Sequence, residues 1–320
     1  MDHPDRRFMT LPALWLVVGL LLPTTGTAEP VEFGVFTPRL HFATPQARDQ
    51  YAGDVATVLS RTIGHPVHGR AFANASDLTA FIKAGRLDIA LVDAAYLAGG
   101  PTSLTTLADG TGPDGRAPPY AVLAAADASG VNALEGQSLA LPKVTASEAQ
   151  LLSNYVFEGE LSVATFFGRL QWSREFPELL RRIRSRQAAG TIAYLALAEP
   201  FGLRVVAPLK GMPLPVLVEV GASLGETHRD ALRKALSETG LELPQLGPLT
   251  HLVAPQQDAT RKLKAALALS AGQRPVRRAI WTPLPVERLS NPELKVGPRA
   301  RYPLQTPVGR WRMPEYPDIR

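Results

Sequence analysis

The 320-residue chain carries 34 Lys and Arg against 29 Asp and Glu, a formal net charge of +5 at pH 7, and no cysteine. Its hydrophobic fraction of 45% is that of a globular protein and argues against a disordered one. With no thiol, disulfides, Cys-based zinc sites and thiol catalysis are excluded.

The first 28 residues read as a cleaved signal peptide. Arg6 and Arg7 form a positive start, residues 11–22 an apolar core, and Gly26, Thr27 and Ala28 a small-residue cleavage site. A core of about 12 residues is too short to span a bilayer, which takes ~20. No later segment reaches that length, so a mature protein in the periplasm is expected. After export a basic surface points to anionic ligands, an anionic membrane surface or an acidic partner, and no longer to nucleic acid.

Residues 31–38 (VEFGVFTP) then read as a buried strand and its exit loop, followed by a helix carrying Tyr51, Val55, Val58 and Leu59. A strand at 67–72, a helix at 76–84 and a third strand within 84–98 complete the βαβ pattern of a parallel sheet. Ligands sit at the carboxyl ends of such strands, here 36–38 and 93–96. Thr37 and Arg39 lie in the first of these loops. Arg39 reads either as a bidentate anion partner or, the favoured reading, as a solvated loop residue. His65 and His68 flank Pro66 and read as surface residues, since a metal needs more ligands.

Residues 109–119 form a polar, Gly/Pro-rich loop by composition. Strands are expected at 120–126, 138–141, 162–167, 191–197 and 214–221. Helices are expected at 146–157, after Ser173 through 187, at 226–239 and at 258–270. The junction at 141–147 (LPKVTAS) leads from a strand into a helix, whose first N–H groups are unpaired and suit an anion. Lys143 would add positive charge there. Thr145 and Ser147 supply hydroxyls for an anion or, on the plainer reading, cap the helix. Glu148, in the first helical turn, is expected to point to solvent and complement the helix dipole.

The strand-plus-Pro loop at 36–38, the junction Gly85, Arg86, Leu87 and Asp88, and Tyr96 just after the third strand carry a resemblance. In them the chain resembles the phosphate/phosphite/phosphonate-binding proteins of ABC transporters. The resemblance implies an α/β fold of two lobes joined by a hinge of two crossover strands. Lobe 1 would take 29–122 and 217–281, and lobe 2 would take 123–216. It makes Tyr96 the first-lobe aromatic against the ligand. It also matches Thr145 and Ser147 to the two hydroxyl positions of the family's "DPxSxSG" motif, whose acidic and Gly positions this chain does not keep. In the second lobe Ala193 replaces the family aspartate that faces a ligand ammonium. Thr191 and Tyr194 are then candidates to line the cleft there, or ordinary strand residues.

The last 39 residues, 282–320, hold eight prolines and an excess of Arg and Lys over acidic residues. They fall outside the resemblance and read either as a partner-docking tail or as a strap over the lobes. No phosphate loop, nucleophile elbow or metal cluster stands out, so no enzyme activity and no cofactor are expected. The expectation is a monomeric periplasmic solute-binding protein that closes over a small anion, of the phosphorus oxyanion type, and delivers it to an ABC permease. The rival is an accessory or sensor-input protein whose tail docks a partner protein. The candidate ligand-binding residues are Thr37, Tyr96, Lys143, Thr145, Ser147, Thr191 and Tyr194.

Overall fold

The computed structural model describes residues 29–100, 103–116, 118–125, 127–256 and 258–269. The signal peptide expected at 1–28 and the tail at 282–320 lie outside the described residues.

β1 (Val31–Phe36) is buried on both faces from Phe33 onward, as its unbroken apolar composition requires of a central parallel strand. It runs parallel to β2 (Val67–Ala71), with Val31 opposite Val67, and to β3 (Ile89–Val92), with Phe33 opposite Ile89. Between β1 and β2, α1 (Pro45–Ile63) starts at Thr44, whose hydroxyl accepts from the Ala47 N–H, and ends at Gly64 with φ 65°. That left-handed conformation favours glycine and stops the helix cleanly. α1 buries Tyr51, Ala52, Val55, Ala56, Leu59 and Ile63, a stripe at helical spacing.

The helix lies close over β2. A Cβ on Gly69 would stand 2.2 Å from the Ala52 carbonyl oxygen. Gly69→Ala should therefore force helix and strand apart and cost about 1–3 kcal/mol. A lowered urea midpoint with an unchanged slope would register it; an unchanged midpoint would contradict this packing.

α2 (Ala75–Lys83) follows, capped by the Asn74 side chain, and α3 (Ala94–Gly99) is capped by Asp93. β4 (Leu104–Thr111) takes up residues 109–111, which composition alone assigns to a loop. Pairing with neighbours on both sides overrides the turn-like DGT sequence.

β5 (Tyr120–Ala124) opens a second sheet, with β6 (Ser138–Pro142), β7 (Arg169–Ser173), β8 (Gly190–Tyr194) and β9 (Arg204–Leu209). Its order is β7-β6-β8-β5-β9. Between β6 and β7 lie α4 (Glu148–Leu151), running on as a π turn (Leu152–Val156), and α5 (Val163–Phe166). The strand expected at 162–167 is thus helical in its core, and the strand proper comes after it, at β7. A short run rich in Val and Phe does not distinguish the two states. α6 (Phe176–Arg184) carries Phe176, Leu179, Leu180 and Ile183 inward and ends three residues short of expectation.

The chain then returns through β10 (Val216–Val220), antiparallel between β3 and β4. α7 (Glu226–Glu238), β11 (Leu241–Leu246), β12 (Leu249–Val253) and α8 (Asp258–Ala268) complete the first lobe. The seven-stranded order is β11-β12-β4-β10-β3-β1-β2. β9, β11 and β12 carry no expectation from sequence; β9 and β11 each hold an internal proline. Two passages join the sheets, 112–119 and 210–215. The second sheet already begins at Tyr120, ahead of the division at 122/123. No helix among the described residues is long and apolar enough to cross a membrane.

Candidate functional site between the lobes

The turn after β1 sets the site. The Leu40 N–H bonds the Thr37 carbonyl at 3.0 Å, and Arg39 is carried inward until it is 2% exposed. Its guanidinium pairs with Asp93 through Nη1 and with Glu148 through Nη2. Asp93 belongs to the first lobe, where its Oδ1 also accepts from the Ala95 N–H at 2.9 Å. Glu148 belongs to the second lobe, as the first residue of α4, and is 1% exposed. The backbone N–H of Thr145 donates to its carboxylate. Arg39 therefore bridges the two lobes at the carboxyl ends of β1, β3 and β6.

Two tyrosines of the second lobe close over this triad. Tyr120 and Tyr194 are buried with ring centroids 4.9 Å apart at 84°. The Tyr194 hydroxyl donates to the Pro213 carbonyl at 3.2 Å. Burial raises the pKa of both phenols, so they stay protonated.

The triad holds two carboxylates against one guanidinium. Burial pushes Glu148 up from 4.5 to about 7; Arg39 holds it back and Asp93 adds to the rise. Burial alone would lower Arg39, but the attraction of Asp93 and Glu148 outweighs it and its pKa is raised. Arg39 is thus charged at every relevant pH, while the excess negative charge rests on Glu148.

Several polar atoms here have no hydrogen-bond partner among the described residues: Thr37 Oγ1, Arg39 Nε, Thr145 Oγ1, Glu148 Oε2 and Ser173 Oγ. A buried polar atom left unpaired costs about 1–3 kcal/mol. The adjoining void between the lobes, lined by Thr37, Pro38, Arg48, Phe72, Glu175 and Phe176 among others, is about 20 Å³. It has room for about one water.

Around this centre the lobes make further contacts. Arg48 of α1 meets Glu175, the residue before α6, at 3.1 Å. The His41 ring stands edge-on to Phe176 and Phe201, 5.6 and 4.6 Å away. On α4 and its π turn, the Gln150 and Asn154 amides donate to the Leu267 and Ala266 carbonyls at the end of α8, at 3.0 and 2.9 Å.

Of the residues singled out from sequence, Thr37 and Tyr194 lie at the centre. Thr145 lies at its edge, with its methyl group facing Gly99 of α3. Lys143 and Ser147 are exposed, and the Ser147 hydroxyl makes no cap bond. Tyr96 is buried, but its ring edge packs on Phe36 and its hydroxyl bonds Thr79 of α2 at 2.9 Å. Thr191 is buried opposite Leu123, three residues before Tyr194 and so on the other face of β8.

Two expectations are corrected. Arg39 is not solvated, and Glu148 points inward. They satisfy one another across 109 residues of chain, and no local pattern displays that pairing. Asp93 and Ser173 were missed. Asp93 was visible only as part of the strand end at 93–96. His68 meets Glu32 at 3.5 Å and is exposed, and no group of three or more potential metal ligands occurs among the described residues.

Neither the family models nor the curated proteins give a match to this sequence. Solved structures do. A binding-protein component of an ABC phosphonate transporter from Pseudomonas aeruginosa superposes with a TM-score of 0.58 at 14% identity, covering 74% of this chain and 85% of that one. PhnD1 from Prochlorococcus marinus, solved with methylphosphonate, gives 0.58 at 10% identity over 74% and 96%. A Xanthomonas citri protein solved with ATP gives 0.56 at 11% identity over 74% and 95%. With its two sheets, its two connecting passages and its polar junction, the chain has the two-lobe α/β fold of the phosphonate-transporter binding proteins.

Proposed function

We propose that this chain is a periplasmic receptor that closes its lobes over a small phosphorus oxyanion and presents it to a membrane ABC permease. The observation that carries the reading is the set of buried, unpaired polar atoms at the lobe junction. Buried polar groups are nearly always satisfied, so such a set marks a place built for a hydrogen-bonding ligand. Thr37 Oγ1, Thr145 Oγ1 and Arg39 Nε offer donors to oxyanion oxygens. Glu148 Oε2, a carboxylate acceptor, requires a donor in return. A ligand that still carries a proton, such as hydrogen phosphate or a phosphonate monoanion, meets both demands. Sulfate has no proton to offer and would set its charge against Glu148.

The void of about 20 Å³ is smaller than such a ligand. The ligand would enter the open form, and Glu148 would yield part of its hold on Arg39 as the lobes re-close. Ligand contacts to both lobes then supply the differential affinity that closure requires.

A thermal-shift screen of the mature protein with phosphate, phosphite, methylphosphonate and sulfate tests this, with calorimetry on each hit. Ligands that bind only the native state raise its stability as RT ln(1 + [L]/Kd), so a micromolar binder is plain at millimolar dose. The phosphorus acids should shift the transition and sulfate should not. Thr37→Ala combined with Thr145→Ala should weaken binding about tenfold or more, since each lost hydrogen bond is worth about 0.5–1.5 kcal/mol. An unchanged dissociation constant would remove these hydroxyls from the site.

The second reading, an accessory or sensor-input protein, is favoured by one observation: the chain's own Arg39–Glu148 pair joins the lobes. A protein held shut by its own residues needs no solute to present a fixed surface. Silence across the panel, together with a partner captured only when residues 282–320 are present, would support it.

A further inference from the structure

We infer that closure of the lobes takes up one proton, received by Glu148, so that the unliganded protein opens as the pH rises through neutrality. This goes beyond the ligand reading and concerns the unliganded closed form, in which Glu148 Oε2 has no ligand donor to accept from.

Were the lobes to part, Glu148 would leave Arg39 and Asp93 behind on the other lobe and gain solvent, which screens its charge. In the closed form all three are buried, with two carboxylates sharing one guanidinium. One negative charge in excess is then held away from solvent, which is costly unless it is neutralised. Asp93 has its Oδ1 occupied by both Arg39 and the Ala95 N–H. Glu148 keeps one oxygen, Oε2, without a partner. The proton therefore goes to Glu148.

Among the described residues, the charges that act on Glu148 are those of Arg39 and Asp93. The loop after β1 presents Arg39, α3 presents Asp93, and β5 presents Tyr120, whose hydroxyl stays protonated. β8 presents Tyr194, which acts on Arg39 and Asp93. α5 has no titratable residue. On the π turn Tyr155 carries the ammonium of Lys210 over its ring, 4.9 Å from the centroid. α8 packs on α4, but its Arg261, Lys262 and Lys264 are exposed.

The sign follows from the shift. Burial raises Glu148 from 4.5 to about 7, so a closed form that buries it binds the proton more tightly than one that exposes it. Acid therefore favours closure, and closure weakens as the pH rises through 7. Between pH 6 and pH 8.5 the closed-to-open ratio should fall about tenfold. His41, at the rim, works in the opposite sense. Burial lowers its pKa, so its protonation at low pH favours opening.

The absence of cysteine allows a clean measurement. Cysteines placed at the exposed positions Asp49 of α1 and Arg181 of α6 would take a pair of spin labels, one on each lobe. Distance distributions of the full mature chain would be recorded at pH 6 and pH 8.5, with Glu148→Gln in the same labelled background. The expected result is a growing long-distance population in the wild type at pH 8.5, and none in Glu148→Gln. A closed-to-open ratio that does not change with pH would overturn the inference. So would a Glu148→Gln protein that follows the wild-type course.

Discussion

Arg39→Ala is expected to lower the stability of the protein by about 3–5 kcal/mol, the usual cost of removing one partner from a buried ion pair. The cost does not come from the lost contacts alone. Asp93 and Glu148 would be left facing each other, both buried, with no cation between them. Chemical denaturation at pH 7.5 measures it. Adding Glu148→Gln to Arg39→Ala should restore part of the loss, because one of the two stranded charges is then gone. If the second substitution merely adds its own penalty, the triad is not acting as an electrostatic unit.

Glu148→Gln by itself should behave in a less familiar way. Its effect should depend on pH, and above neutrality it should stabilise. In the wild type the carboxyl is shifted from 4.5 to about 7 by burial, so its folded form holds a proton that the unfolded chain has already released. Stability from this source is full below pH 4.5 and is lost as the pH rises to 7. At about 1.4 kcal/mol per pH unit the loss approaches ~3 kcal/mol. Opening of the lobes relieves the same penalty, which makes that figure a ceiling. Glutamine keeps an acceptor for Arg39 and carries no charge. Urea titrations at pH 5 and pH 8 should show the variant close to the wild type at the first and more stable at the second. A variant less stable than the wild type at pH 8 would mean that ionised Glu148 is a net benefit.

The opening part of the first lobe, from β1 to α3, was legible in the sequence because its signals are local. β1 and β3 are short apolar runs with turn residues at their ends, and α1 shows its buried stripe at regular spacing. α7 and α8 were found for the same reason. The second lobe was harder. α5 was read as a strand because four residues of Val, Ala, Thr and Phe carry no period long enough to tell helix from strand, and β7 carried no expectation. β9 there, and β11 in the first lobe, pass through prolines that ordinarily argue against a strand.

At the site, Thr37 could be named from a strand end, because strand ends are where such sheets bind, and Tyr194 through the family resemblance. The triad could not. Arg39 looks like any arginine in a loop, and Glu148 like any acidic residue opening a helix. Their roles follow from the approach of two lobes, which brings residues 109 apart into one buried pair. Rules of thumb for exposed charges fail at such a junction because each charge is the other's reason for being buried.

The end of α8 gives the molecule a mechanical asymmetry. The helix follows β12 in the first lobe and packs on α3, yet its last carbonyls, of Ala266, Leu267 and Leu269, are gripped by Gln150 and Asn154 of the second. Any parting of the lobes that keeps those bonds must turn about them as about a pin. The lever arm then runs across the junction, and the Arg48–Glu175 contact and the His41 ring, made by other elements, separate without straining that grip. In such a motion the Arg39–Glu148 pair is the catch and the end of α8 the axle.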